Sequence, residues 1–121
     1  MKKILVVDDK ISISKLISQF LSQTFEVHTE QDGFKALAWL QEGNMPDLIL
    51  TDLQMPNMDG FELITKIKES GYFSDIPIIV LSSQESSEDR VKCLKLGAED
   101  YIMKPFNPEE LLIRIERVLS R

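Results

Sequence analysis

Five side chains carry the chemistry this sequence offers. Asp8 and Asp9 stand side by side in ILVVDDK, directly behind the apolar run Ile4–Val7. Asp52 follows a second apolar run in LILTDLQMPNMDG, Ser82 ends a third in IIVLSSQE, and Lys104 lies beyond a fourth in DYIMKPF. Three carboxylates at close range repel one another and raise at least one proton affinity unless a cation sits among them. Oxygen-only, partly carboxylate donors favour a hard cation such as Mg2+, with Mn2+ as an alternative. Such an ion keeps several waters and shares its shell with a phosphate. Lys104 adds a positive point charge and Ser82 a hydroxyl donor. Together they describe a site for a phosphoryl group on a carboxylate oxygen. Asp52 is the nucleophile, the ion and Lys104 neutralise charge, and Ser82 holds a phosphoryl oxygen. Each residue alone has a plainer reading: an Asp at a strand end forms turns or caps helices, as Asp32 and Asp59 are read to do. The chemistry therefore depends on elements that bring these positions to one edge.

The pattern around them supplies such elements. Ile4–Val7, Leu48–Leu50 and Ile78–Leu81 are continuous apolar runs rich in Ile and Val, as in parallel strands buried on both faces. Phe25–Thr29 alternates apolar with polar, which fits a half-exposed edge strand. Tyr101-Ile102-Met103 makes a short fifth. Helical patterns lie between them. Ile13, Leu16, Ile17, Phe20 and Leu21 form one stripe; Ala36, Leu37 and Leu40 follow Asp32-Gly33; Phe61, Ile64 and Ile67 run from Asp59 to near Gly71. Val91, Leu94 and Lys95 precede Gly97, a residue suited to ending a helix. Asn107, Pro108 and Glu110 make a capping box before Leu111, Ile115, Val118 and Leu119.

Strands alternating with helices imply right-handed βαβ units. The class is α/β: a doubly wound (βα)5 three-layer sandwich with a parallel five-stranded sheet of order 2-1-3-4-5, the flavodoxin-like arrangement. Its ligands bind outside the carboxyl ends of the strands at the switch point between strands 1 and 3. Asp8, Asp9, Asp52, Ser82 and Lys104 all fall on that edge.

Bulk properties narrow the rest. The 121 residues make one domain with room for a real core, and the reading covers residues 1–121 as a unit. Twenty acids against 14 bases give a net charge of −6, which disfavours direct nucleic-acid binding. The single cysteine, Cys93, excludes an internal disulfide and a cysteine-rich zinc site. It suits a reducing, cytoplasmic setting. No apolar run has the length of a membrane span. Met-Lys-Lys resembles a signal-peptide head, but Asp8 and Asp9 cut the apolar stretch too early.

ILVVDD, DLILTDLQMPNMDGFEL, PIIVLSS and LGAEDYIMKPF, in this order and spacing, resemble the receiver domain of two-component response regulators, of the chemotaxis-regulator type. The resemblance covers essentially the whole chain. It implies that Asp52 accepts a phosphoryl group from a phosphohistidine on a sensor histidine kinase or phosphotransfer protein. Asp9 and Asp52 would ligate Mg2+ by side chain, Gln54 by its backbone carbonyl, and Asp8 mostly through water. Ser82 becomes the switch hydroxyl, Tyr101 the switch aromatic and Lys104 the phosphoryl contact, aimed inward by a cis Lys104–Pro105 bond. Phosphorylation would draw Ser82 inward, let Tyr101 fill the vacated space, and reshape the surface of helix 4, strand 5 and helix 5. An output domain or partner reads that surface, and a phosphorylation-dependent dimer is one form this takes.

Some positions depart from the family pattern or vary within it. Ser83 stands where the family commonly has alanine; it is still small. Gln54 and Gln84 occupy positions where the family varies and phosphoryl lifetime is tuned. Trp39 falls in the second helical pattern, away from Asp52.

Rival readings are weaker. A haloacid-dehalogenase-type phosphatase needs a second Asp two residues after the nucleophile, where this chain has Gln54. A flavin carrier wants a phosphate-cradling loop after strand 1, where this chain has Asp-Asp-Lys. An interaction module without phosphorylation is the remaining alternative. The expectation is a non-enzymatic switch that assists its own phosphorylation and dephosphorylation.

Overall fold

The computed structural model describes residues 1–83 and 86–121. Strands and helices alternate: β1 (Lys3–Val7), α1 (Ile11–Leu21), β2 (Glu26–Glu30), α2 (Gly33–Gln41), β3 (Leu48–Thr51), α3 (Gly60–Glu69), β4 (Ile78–Ser82), α4 (Ser87–Leu96), β5 (Asp100–Met103) and α5 (Pro108–Leu119). The five strands form one sheet of order β2-β1-β3-β4-β5, and every pair is parallel. The expected flavodoxin-like topology is therefore the observed one.

Side chains alternate across a strand, so each central strand feeds both faces. Leu5, Val7, Ile49, Ile78 and Val80 point to one side and pack with Ala36 and Leu40 of α2, Leu63, Ile64 and Ile67 of α3, and Cys93 of α4. Ile4, Val6, Leu48, Leu50, Ile79 and Leu81 point to the other. They meet Ile17 and Leu21 of α1 and Leu111 and Ile115 of α5. Two cores, one on each face, explain why the strands of the middle read as unbroken apolar runs. β2 is an edge strand with only partial cover, as its alternation requires.

Helix starts follow capping chemistry. Asp32, Asp59, Ser86 and Asn107 each accept a hydrogen bond from the N–H three residues on. The helix expected before Gly97 is present, and Gly97 ends it in the left-handed conformation. Its inward side chain is Cys93, however. Val91 and Leu94 each remain 46% exposed. A ten-residue helix with charged neighbours on every side reaches the core through one narrow strip, and Cys93 occupies it. Among the described residues no helix is long and apolar enough to cross a membrane.

Candidate functional site

Parallel register puts the strand ends level. Val7 is opposite Thr51, Thr51 opposite Val80, and Ser82 opposite Met103. The next residue out from β1 is therefore Asp8, from β3 Asp52 and from β5 Lys104. Backbone bonds continue the alignment: Asp52 N–H donates to the Val7 carbonyl at 3.0 Å, and Lys104 N–H to the Ser82 carbonyl at 2.8 Å.

Lys104 Nζ lies 2.8 Å from Asp8 Oδ2 and 3.2 Å from Asp52 Oδ2. The Lys104–Pro105 peptide bond is cis. Asp8 and Asp52 are nearly sealed from solvent, 2% and 7% exposed. The second oxygen of each carboxylate accepts a backbone N–H, Asp8 Oδ1 from Lys10 at 2.9 Å and Asp52 Oδ1 from Leu53 at 2.7 Å. One oxygen from each of Asp8, Asp9 and Asp52 falls within 4.8 Å of the others. Asp9 Oδ1 is buried and accepts no hydrogen bond among the described residues.

Burial pushes the Asp52 pKa above the usual carboxylate value. The Lys104 charge and the Leu53 N–H oppose that rise, while the Asp8 charge adds to it. Burial alone would lower the Lys104 pKa, but its bonds and charge interactions with Asp8 and Asp52 outweigh burial and raise it. One ammonium thus pairs with two of three clustered carboxylates. The residues fit a hard divalent cation: the donors are all oxygen, the cluster is under-neutralised, and the desolvated Asp9 Oδ1 has no hydrogen-bond partner among the described residues.

Ser82 is fully buried and Tyr101 is 8% exposed, so the aromatic already lies inside. Burial raises the Tyr101 phenol's pKa, and a hydrogen bond with the Ser82 side chain opposes the rise. Gln54 is exposed on the loop after Asp52, and Ser83 is exposed just beyond the end of β4. Gln84 lies outside the described residues. Trp39 stacks on His28 with centroids 4.2 Å apart, and packs on the core from α2.

Sequence reading did not single out Gly60 as a site residue. A Cβ there would overlap the Asp52 carbonyl oxygen and stand 2.8 Å from Leu53 Cα, and its N–H donates to the Leu53 carbonyl at 2.7 Å. Thr51 was also passed over; its buried hydroxyl donates to the Asp52 carbonyl at 2.9 Å. The signal for Gly60 was its place eight residues after Asp52 in DLQMPNMDG.

Residues 4–116 match the family model described as response regulator receiver domain. The probable transcriptional regulator ycf27 of Cyanophora paradoxa is 44% identical over 99% of this chain and 49% of its own length. The regulatory protein VanRc of Enterococcus gallinarum is 36% identical over 99% of this chain and 51% of its own length. The chain thus spans about half the length of these curated relatives. Among solved structures, chemotaxis response regulator CheY4 of Vibrio cholerae superposes with a TM-score of 0.90 at 39% identity, covering 98% of each chain. The chain belongs to the response regulator receiver domain family of two-component phosphorelay signalling. That class is a signalling switch rather than a classical enzyme.

Proposed function

We propose that residues 1–121 form one receiver unit that takes a phosphoryl group on Asp52 from a phosphohistidine of a sensor histidine kinase or phosphotransfer protein. The observation that carries this is the cluster itself: three carboxylate oxygens within 4.8 Å, a buried Asp9 Oδ1 with no hydrogen-bond partner among the described residues, and Lys104 bonded to Asp8 and Asp52. In the transfer an Asp52 oxygen bonds to phosphorus as the phosphorus–nitrogen bond to the donor imidazole breaks. The imidazole nitrogen keeps the electron pair and takes up a proton. Lys104 and Ser82 hold the phosphoryl oxygens. Asp9, Asp52 and the Gln54 carbonyl would hold Mg2+, with Asp8 beside it; when bound, the ion supplies positive charge against the repulsion between two anionic reactants.

Phosphorylation would then pull Ser82 toward the site and favour the buried Tyr101 position, shifting the population of the α4, β5 and α5 surface. Val91 and Leu94 on α4 offer exposed apolar area to an output domain, a partner or a second copy. On the opposite face, an apolar groove of about 270 Å3 between α1 and the cis-proline turn opens beside Lys104. Ile13, Leu16, Phe20, Pro105 and Phe106 line it, and it suits a helix of the phosphodonor. The setting is cytoplasmic, and residues 1–121 do not themselves bind nucleic acid.

The test is intact mass after incubation with acetyl phosphate and Mg2+. One added phosphoryl group, absent from Asp52→Asn and absent with EDTA, supports the reading. No gain in folded protein shown to bind Mg2+ would favour an interaction module instead.

A further inference from the structure

The loop from Leu53 to Asp59 carries Gln54, and it buries the side chains of Leu53 and Met58 in the core. Its ends are fixed by the Asp52 N–H on Val7 and the Gly60 N–H on Leu53. Within its middle Met58 N–H donates to the Pro56 carbonyl at 2.7 Å, and further polar contacts come from the corner where β2 turns into α2. Asp32 at that corner is 3% exposed, and both carboxylate oxygens are engaged. Oδ1 accepts from Lys35 N–H at 2.8 Å, which caps α2. Oδ2 accepts from the Asn57 side-chain amide at 2.9 Å. One residue on, Gly33 N–H donates to the Met58 carbonyl at 3.3 Å, and a Cβ on Gly33 would stand 3.0 Å from that same oxygen. Asn57 has a φ of +69°, a left-handed conformation that Asn tolerates because its short polar side chain can bond locally.

The same corner also reaches the acid pair. The Glu30 carbonyl, two residues before Asp32, accepts the Asp8 N–H at 3.1 Å. Residues 30–33 therefore brace both segments that bear the carboxylates, although β2 and β3 are not neighbours in the sheet. A cap needs one oxygen of Asp32. The other is spent on a side chain 25 positions away, at a surface loop.

We propose that Asp32 and Asn57 are a positioning pair: their hydrogen bond, with the Gly33–Met58 contact, clamps the loop after Asp52 so that the Gln54 carbonyl is pre-set toward the acid cluster. The cation-binding part of this rests on the function proposed above; the clamping part does not. Asn57→Gly removes the amide while keeping a residue at ease with positive φ. Asp32→Ser keeps a cap and loses the reach to Asn57.

Two measurements on these variants and their combination test the proposal. The first is amide hydrogen exchange of the whole chain without divalent ions. Each single change should speed exchange across residues 53–60 by about tenfold, equal to ~1.4 kcal/mol, with β1, β4 and α5 unchanged. The double variant should be no worse than either single one, because both remove the same bond. The second is Mg2+ titration by calorimetry, where affinity should fall about tenfold in the same non-additive way. Unchanged exchange at 53–60, additive effects, or acceleration spread over the whole chain would overturn the pair. If the wild-type chain bound no Mg2+ while the exchange pattern held, the clamp would stand and the cation reading would fall.

Discussion

Replacing Lys104 by Met tests the electrostatics of the site without reference to any donor. The ammonium lies 2.8 Å from Asp8 and 3.2 Å from Asp52, and the three side chains are 11%, 3% and 8% exposed. At an effective dielectric of about 20 these contacts are worth about 6 and about 5 kcal/mol before desolvation. Burying the three charges offsets most of that, and deleting one partner of a buried pair costs about 3–5 kcal/mol. Lys104→Met should therefore lose about 3–5 kcal/mol at pH 7 in EDTA, read by urea unfolding. The sign with pH follows from Asp52. Its folded-state pKa is already raised, so the native state binds more protons than the unfolded state above pH 3.8, and stability falls as pH rises through that window. Lys104 is the largest influence holding the value down. Without it the value rises further, so the penalty should grow toward neutral pH and shrink on acidification to pH 5. A loss under about 1 kcal/mol at pH 7, in the range of an exposed surface pair, or a penalty independent of pH, would refute the reasoning.

Other outcomes follow from single contacts. Gly60→Ala forces a methyl into the Asp52 and Leu53 backbone; it should cost about 3 kcal/mol in urea unfolding and abolish phosphorylation. Burial pushes the Cys93 thiol to about 11, so a disulfide reagent at pH 8 should leave the folded chain untouched and titrate one thiol in urea. Asn107→Ala removes the cap of α5, whose Oδ1 accepts Glu110 N–H at 3.1 Å; thermal unfolding should show a loss of about 1 kcal/mol.

The sheet was legible because its central strands are covered on both faces, which leaves unbroken Ile, Val and Leu runs. β2 was legible as an edge because it alternates. Caps at Asp32, Asp59 and Asn107 were readable from residue type, since capping is local chemistry. α4 was less so: its sequence SEDRVKCLKL has no clean apolar period, and Cys93 became its core residue where Val91 and Leu94 did not. The site residues could be nominated from their positions beyond strand ends, but their contacts could not. Lys104 reaches Asp8 across 96 positions, and no local pattern encodes that distance. Asp32 shows the same limit from the other side. Its capping role is local and was read; its bond to Asn57 depends on how α2 meets the loop after β3. The depth of Tyr101 likewise depends on α4 packing over β5.

The central claim is that Asp52 is the phosphoryl acceptor. Borohydride reduction of the acetyl phosphate-treated chain, followed by peptide mapping, addresses it at residue level, because an acyl phosphate on Asp is reduced to homoserine. The expected result is homoserine at position 52 alone, in the presence of Mg2+ and not in EDTA. Homoserine at Asp8 or Asp9, or phosphorylation that resists reduction and maps to a hydroxyl, would contradict the account.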